Sequence, residues 1–245
     1  MNILDRFLPD LWYSPSDVLL RASEVFIWQR VKLIPPSLDI GCGDAYFSER
    51  IFSFPRQIDI GIDLLPAGTS RLYRQMLQVD ATQLPFKNSS FNTIISNSTF
   101  EHIKADAKAV SEVARVLKPG GKFYLTVPTP HLSPLLGRRL NAKVAHLHYR
   151  SAEDWQKLLA KNNLVLRKAE YYFSPPSVSA WLLLLKLFTF KIYHRELWSY
   201  LKDSPYGRLF PSSFISEVLK IYLSKYIAIG FSDSGTWQFL TAVKK

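Results

Sequence analysis

Acidic side chains stand near the ends of three short apolar segments in the first half of the chain. Asp39 precedes a glycine turn, Asp63 ends the next segment, and Asp80 follows a third. If these segments are parallel strands, their carboxyl ends meet at one edge of a sheet and bring the carboxylates together. Such carboxylates would accept hydrogen bonds from ribose hydroxyls and attract a positively charged ligand.

The glycine turn itself is typical of a cofactor-binding loop. Gly41 and Gly43 flank Cys42 in the sequence LDIGCGDA, where glycine lets the backbone approach a ligand. The glycine spacing alone leaves the cofactor open. A carboxylate just before the turn, Asp39, would repel a pyrophosphate, and it favours a ligand with ammonium and sulfonium groups, as in S-adenosylmethionine. The position of Asp63 would suit the ribose of NAD equally well.

An alternation of apolar runs and helical patterns must position these residues. It predicts an α/β fold with a doubly wound, mostly parallel sheet. A helix is predicted over residues 107–117, and Pro119 with two glycines predicts a turn before the next strand. Ser151 and Asp154 predict a capping box that begins another helix. The predicted strands are residues 38–40, 58–62, 77–79, 93–96, 122–127, 165–173 and 236–243.

Roughly residues 35–130 resemble the class I S-adenosylmethionine-dependent methyltransferases, in particular the type 11 group that acts on small molecules and lipids. Beyond the glycine loop, the resemblance lies in LPF from Leu84, FNTIISN from Phe91, FEHI from Phe100 and EVARVLKPGG from Glu112. It implies a Rossmann-like, seven-stranded sheet whose last strand is antiparallel, and S-adenosyl-L-methionine as the cofactor.

The resemblance also implies which residues bind that cofactor. The glycine loop would face the methionine part, Asp63 the ribose, and the residues after the third strand the adenine. Two positions depart from the family pattern, because Asn92 stands where Asp is frequent and Ala45 where Gly is frequent. The implied cofactor-binding residues are Asp39, Gly41, Cys42, Gly43, Asp63, Leu64, Asp80, Ala81, Ser96 and Asn97.

Two histidines are candidates for a catalytic general base. His102 follows the fourth strand beside the expected cleft, and His148 precedes the capped helix, near where an acceptor would enter. Both could instead be structural hydrogen-bonding residues. His146 and His148 could suggest a metal, but no third ligand accompanies them at a suitable spacing, so the sequence predicts no metal site.

Basic residues concentrate in the second half of the chain. Residues 131–245 carry 17 Lys and Arg against 7 Asp and Glu, whereas residues 1–130 are nearly balanced. A positive surface suits an anionic partner such as an acidic membrane surface or, less favoured, a nucleic acid, although it could serve solubility alone. Oligomeric state is left open.

The length of 245 residues predicts one domain. We assign residues 1–33 to an N-terminal helical cap, 34–173 to the cofactor-binding core, 174–235 to a helical lid insertion, and 236–245 to the last strand. The lid is too interrupted by lysines to cross a bilayer. Its aromatic residues suit a membrane interface, a hydrophobic substrate or the core of a helical cap. These aromatic residues are Trp181, Phe188, Phe190, Tyr193 and Trp198, interleaved with Lys186, Lys191 and Arg195.

The single cysteine excludes an internal disulfide and favours a reducing compartment. Asp5, Asp10 and Asp17 interrupt the apolar runs where a secretory signal would lie, so we expect a cytoplasmic protein that can associate with a membrane. The favoured function is methyl transfer to a small-molecule, lipid-like or lipid-linked acceptor. An RNA methyltransferase, an NAD-dependent oxidoreductase and a non-catalytic cofactor-binding interaction protein are the alternatives.

Overall fold

A seven-stranded sheet forms the centre of the computed structural model, which describes residues 2–66, 68–197, 199–200 and 212–245. The strand order is β3-β2-β1-β4-β5-β9-β6, and all neighbours are parallel except those of β9. The predicted doubly wound, mostly parallel sheet with an antiparallel last strand is confirmed. Its strands are β1 (Ser37–Ile40), β2 (Ile58–Asp63), β3 (Tyr73–Gln78), β4 (Phe91–Asn97), β5 (Leu117–Pro128), β6 (Leu164–Tyr172) and β9 (Trp237–Lys244).

Strand β1 lies at the middle of this sheet, and all four of its residues are buried. Leu38 pairs in register with Ile60 of β2 and with Ile94 of β4. Its two polar side chains are buried with hydrogen-bond partners, Ser37 with Asp59 and Asp39 with Tyr73, while Leu38 and Ile40 are apolar. The register places the carboxyl ends of β1, β2 and β4 side by side. At β1 the strand order changes direction, because β2 and β3 lie on one side of it and β4 and β5 on the other.

Helices cover both faces of the sheet and enclose one hydrophobic core on each side. Helices α4 and α6 fill one core, and α2 and α7 contribute to the other. A separate two-stranded hairpin, β7 (Lys191–Ile192) with β8 (Arg195–Glu196), follows α7. The helices are α1 (Leu8–Leu11), α2 (Pro15–Trp28), α3 (Tyr46–Ile51), α4 (Asp106–Val116), α5 (Leu132–Val144), α6 (Ala152–Ala160), α7 (Pro175–Phe188) and α8 (Ser212–Leu223).

Most predicted elements are found within a few residues of their expected bounds. The capping box of Ser151 and Asp154 begins α6 as predicted. Strand β5 begins at Leu117, earlier than predicted, but its regular pairing with β4 begins at Lys122, and the predicted turn residues Pro119 to Gly121 lie in the irregular register between. The glycines are accommodated inside that irregularity. Trp198 of the lid and the residue before α8, Pro211, lie outside the described residues.

The N-terminal helices and the lid helices pack on one another. Helix α2 contacts α7 and α3, while α8 contacts α1. The lid also touches the sheet, through a bridge between Tyr171 and Ser232 and through ring contacts of Trp181 with Trp237 and of Phe231 with Phe239. No helix within the described ranges is long and apolar enough to span a membrane.

Candidate active site

A cleft of about 640 Å³ opens at the carboxyl ends of β1, β2 and β4. Its size is within the range of small-molecule and cofactor sites. Eight of the ten predicted cofactor-binding residues line it, together with His102. These eight are Gly41, Cys42, Gly43, Asp63, Leu64, Asp80, Ala81 and Asn97.

The glycine loop forms the floor of the cleft through a tight backbone turn. Gly41 and Gly43 have φ angles of +87° and +56°, which side chains rarely adopt. The amides of Gly41 and Cys42 both donate to the carbonyl of Ile62, which fixes the loop to the end of β2. A Cβ atom at Gly41 would lie 2.0 Å from the Thr99 hydroxyl, whereas one at Gly43 would meet nothing within 4 Å.

Ala45 completes the loop, at the position where the family often has glycine. It has a φ of +69° and is buried. An alanine pays a modest conformational cost there, of about 1 to 2 kcal/mol. The departure from the family pattern therefore keeps the backbone conformation that glycine would favour.

Asp63 links the glycine loop to the next loop. Its Oδ2 accepts a hydrogen bond of 2.9 Å from the Gly43 amide, and its Oδ1 accepts one of 3.0 Å from the Leu65 amide. Each carboxylate oxygen has a second lone pair, which remains for ligand hydroxyls. Asp80 similarly accepts a bond of 2.7 Å from the Thr82 amide, so backbone contacts orient both carboxylates at the rim.

Asp39 and Ser96 are the two predicted residues that do not line the cleft. Asp39 is 1% exposed and accepts a 2.5 Å hydrogen bond from the Tyr73 hydroxyl. Burial raises the pKa of Asp39 to about 7. The Ser96 hydroxyl is also buried and donates to the carbonyl of Ile40. Both side chains therefore lie behind the cleft wall, and their predicted roles in cofactor binding stay predictions.

Asn97 lines the cleft, but its side chain is engaged in hydrogen bonds with other residues of the protein. Its Oδ1 accepts from the Trp28 indole and the Thr126 hydroxyl, and its Nδ2 donates to Glu24. Glu24 is fully buried, and both of its carboxylate oxygens accept from Nη1 of Arg21, at 2.8 and 2.9 Å. The N-terminal helix α2 is thereby fixed over the tip of β4.

Arg21 is a cleft residue that sequence reasoning missed. It lines the cleft together with Phe47, whose ring lies 5.1 Å from the guanidinium carbon. The spacing of Arg21 and Glu24, three residues apart on a predicted helix, is a signal of an ion pair. Nothing in the sequence indicates that this pair meets the end of a strand about 70 residues later.

The two candidate bases occupy different environments. His102 lies in a 3-10 turn, Phe100–His102, at the cleft, and burial lowers its pKa. His148 does not line the cleft. Its Nε2 lies 3.0 Å from the carbonyl of Ile103 and 3.8 Å from a carboxylate oxygen of Asp106, which is consistent with a structural role.

A second polar cluster lies behind His102. Glu101, His102 and His146 each place a side-chain ligand atom within 4.8 Å of those of the other two. Burial raises the pKa of Glu101 to about 8 and lowers that of His146 to about 4. The sequence showed no third ligand for His146 and His148, because the two partners of His146 in this cluster, Glu101 and His102, lie about 45 residues earlier in the chain.

The parallel sheet, the positive-φ glycine loop and the carboxylates at adjacent strand ends define a Rossmann-like cofactor-binding domain. Residues 38–125 match the family model described as a methyltransferase domain. These residues therefore form a class I S-adenosylmethionine-dependent methyltransferase domain, and S-adenosylmethionine is the cofactor of that class.

Individual relatives agree with this assignment. A probable S-adenosylmethionine-dependent methyltransferase of Mycolicibacterium smegmatis is 32% identical over 120 residues, which cover 43% of this chain and 46% of that protein. A ubiquinone biosynthesis O-methyltransferase of Nitrosococcus oceani is 29% identical, over 46% of this chain and 55% of the relative. The chain spans about half the length of the curated relatives it matches.

The fold extends the similarity to nearly the whole chain. The crystal structure of a possible histamine N-methyltransferase from Thermotoga maritima superposes with a TM-score of 0.58 over 99% of this chain and 100% of that chain. The two sequences are 17% identical, so this likeness concerns the fold alone.

Proposed function

We propose that the protein transfers a methyl group from S-adenosylmethionine to a small-molecule, lipid-like or lipid-linked acceptor. The proposal rests on one observation. The Gly43 amide of the glycine loop donates a hydrogen bond to Asp63 at the cleft, and both residues lie in the segment that matches the methyltransferase family. A methyl transfer needs no covalent residue from the protein, because holding the two reactants in line supplies much of the rate.

The cleft fits this cofactor in its charge and its shape. At Gly43 a Cβ would enter open space on the cleft side, so the bare backbone can approach a ligand closely. Asp63 would bind the ribose hydroxyls, and the loop of Asp80 and Ala81 would contact the adenine. Arg21 is a cation of the cleft lining, and the N–H groups that Glu24 does not use would bind the methionine carboxylate. S-adenosylmethionine supplies an electrophilic methyl group.

His102 would remove the proton if the acceptor is a hydroxyl. Its lowered pKa keeps the imidazole neutral at physiological pH, and a neutral imidazole can accept a proton. We assign the base role to His102 rather than His148, because only His102 reaches the cleft. For an amine or carbon acceptor, correct positioning beside the methyl group would be enough, and proton removal by His102 would not be required.

The lid supports a lipid-like acceptor through its exposed apolar side chains. On α7, Leu183 and Leu187 are 58% and 51% exposed. On α8, Phe214, Val218 and Ile221 are 60%, 51% and 67% exposed, and they share one helix face. Apolar residues on an interfacial helix insert into the headgroup region, where basic side chains favour anionic lipids. We therefore propose that the lid binds an anionic membrane surface.

The name of one relative is consistent with this acceptor class. The Nitrosococcus oceani protein is named for an O-methyl transfer in ubiquinone biosynthesis. The matching segments cover the methyltransferase domain, which favours a shared cofactor more than a shared acceptor.

Calorimetry with S-adenosylhomocysteine and, separately, NADH tests the cofactor. We expect the first to bind and the second not to bind, and binding of NADH alone would contradict the proposal. Incubation with methyl-labelled S-adenosylmethionine and cell fractions then tests the acceptor. Label in the lipid fraction supports the proposed class, label in RNA favours the RNA methyltransferase alternative, and no label in any fraction contradicts methyl transfer.

Co-sedimentation with vesicles tests the membrane surface. The parent should pellet with phosphatidylserine-containing vesicles at low salt and less at high salt, where charge attraction is screened. The double variant Phe214→Ser and Ile221→Ser should lose most of this binding. A matched control is Leu65→Ser, since Leu65 is 55% exposed on the core rather than on the lid. Equal binding by all three proteins, or none by the parent, would remove the membrane hypothesis.

A further inference from the structure

We propose that Glu101, His102 and His146 bind one divalent metal ion beside the cleft. The side chains of these three residues converge, with one ligand atom from each lying within 4.8 Å of the others. Two imidazoles and one carboxylate are a ligand set used by zinc and by first-row transition metals such as manganese, iron and cobalt. None of these three residues is assigned to cofactor binding, although His102 also lines the cleft.

Glu101 provides the strongest indication of a ligand. It is 1% exposed, and neither of its carboxylate oxygens has a hydrogen-bond partner among the described residues. Buried carboxylates are normally paired, hydrogen-bonded or bound to a metal, because an isolated buried charge is costly. Arg21 donates no hydrogen bond to Glu101, because its Nη1 is paired with Glu24, although its charge lies near enough to lower the pKa of Glu101. A bound cation would satisfy the Glu101 oxygens.

The two histidines are oriented as ligands. The Nδ1 of His102 lies 3.2 Å from the carbonyl of Ala145. Donation from Nδ1 to this carbonyl leaves Nε2 with a free lone pair, the arrangement common for metal-bound histidines. The Nδ1 of His146 is buried and has no hydrogen-bond partner within the described ranges. Both rings therefore offer a nitrogen that the described protein atoms leave unused.

Backbone contacts hold the two halves of the cluster together. The amides of Leu147 and His148 donate to the backbone carbonyl of Glu101 at 2.7 and 3.3 Å. The ring centroids of His102 and His146 lie 4.9 Å apart. The segment after β4 and the segment after α5 are thus fixed to each other at the residues that carry the ligands, so little rearrangement is needed on binding.

Three protein ligands leave coordination positions open, as in catalytic metal sites. Because His102 borders the cleft, an oxygen of the acceptor could take an open position there, and this part rests on the proposed function. A bound metal lowers the pKa of a coordinated hydroxyl. The acceptor hydroxyl would then give its proton to solvent water at the open cleft, with the metal rather than His102 stabilising the oxygen that remains. Such a site favours an oxygen acceptor over a carbon acceptor.

Metal titration of the chelator-treated, untagged protein tests the site. We expect one Zn²⁺ or Mn²⁺ per chain by calorimetry, and visible absorption from bound Co²⁺. Glu101→Gln and His146→Asn should each weaken binding by roughly 100-fold, since even residues behind the ligands alter affinity by tenfold or more. His131→Asn is the matched control, because His131 is exposed at the start of α5 and outside the cluster.

Each variant is also titrated with S-adenosylhomocysteine, which separates this proposal from the proposed function. We expect Glu101→Gln and His146→Asn to retain the parent's affinity for that ligand, which shows that they remain folded. A parent that binds S-adenosylhomocysteine but no metal would overturn the metal site and leave the methyltransferase function standing. Metal binding that survives both substitutions would also overturn the assignment of the ligands.

Discussion

Helices α4 and α8 have nearly the same length and the same amphipathic pattern, but they differ in what covers their apolar faces. Helix α8 fully buries only Leu223, whereas Phe214, Val218 and Ile221 stay largely exposed. Helix α4 is covered by the sheet and by α6. Its buried apolar residues are Ala109, Val110, Val113, Ala114 and Val116.

Helical periodicity in a sequence therefore identifies an apolar face, but it does not show which other element packs on that face. The core helices pack on a sheet whose strands are encoded in the same segment of sequence, so each face finds a partner. In the lid, Leu219 and Tyr222 reach the core, while the neighbouring face of α8 remains open. An uncovered apolar face is where a partner or a membrane can bind.

The largest expected effect tests whether cofactor binding belongs to the core alone. Asp63→Ala should weaken S-adenosylhomocysteine binding at least about 100-fold, because two loop hydrogen bonds and the ribose contact are lost, each worth about 1.5 to 3 kcal/mol when charged. Calorimetry measures this. The lid variant Phe214→Ser should bind like the parent. Equal losses in both variants would show that the lid contributes to the cofactor site.

Gly41 and Gly43 look alike in the sequence, but their substitution should lower the unfolding free energy of the protein by different amounts. Gly41→Ala should lower the unfolding free energy by about 3 kcal/mol, since its Cβ would overlap Thr99 in addition to the positive φ. Gly43→Ala should cost about 1 kcal/mol from φ alone. Urea denaturation measures both. Equal costs would mean that the Thr99 side chain moves aside without penalty.

These glycines illustrate what the sequence could and could not predict. The mostly parallel seven-stranded sheet, the glycine loop and the place of Asp63 at a strand end follow from local pattern and from the family resemblance. The inward turn of Asp39 does not, because it depends on Tyr73, a residue two strands away. The start of β5 at Leu117 does not follow either, because it depends on pairing with Phe91 of β4.

The cluster of Glu101, His102 and His146 also could not be predicted from the sequence. Its ligands come from two segments that only the fold brings together, so neither spacing nor composition could reveal it. Arg21 likewise reaches the cleft through the packing of α2 over β4. Patterns that repeat along the chain predict elements, whereas contacts between distant segments require the structure.

A matched pair of valines tests the comparison of α4 with α8 directly. Val113 is fully buried in α4 and Val218 is 51% exposed in α8. Val113→Ala should lower the unfolding free energy by about 2 kcal/mol, through lost burial and a small cavity. Val218→Ala should change it by less than about 0.5 kcal/mol. A large loss at Val218 would mean that another copy of the chain covers α8 in solution.

The last prediction concerns the pH dependence of core stability. The pKa of Asp39 is about 7 in the folded protein against an ordinary value of 3.8. The folded state therefore holds more protons between these values, and the unfolding free energy contributed by this group falls as pH rises from about 4 to 7. Asp39→Asn, which can still accept from Tyr73, should flatten that fall by about 1 kcal/mol per pH unit.

Urea denaturation at intervals of pH measures the slope. Tyr73→Phe makes the complementary change, because it removes the hydrogen bond that favours the ionised carboxylate. The pKa of Asp39 should then rise further, and the fall in stability should extend to higher pH than in the parent. If the Asn variant instead follows the parent curve at a constant offset, Asp39 does not titrate in this window, and its burial must be compensated by a charge that keeps it ionised.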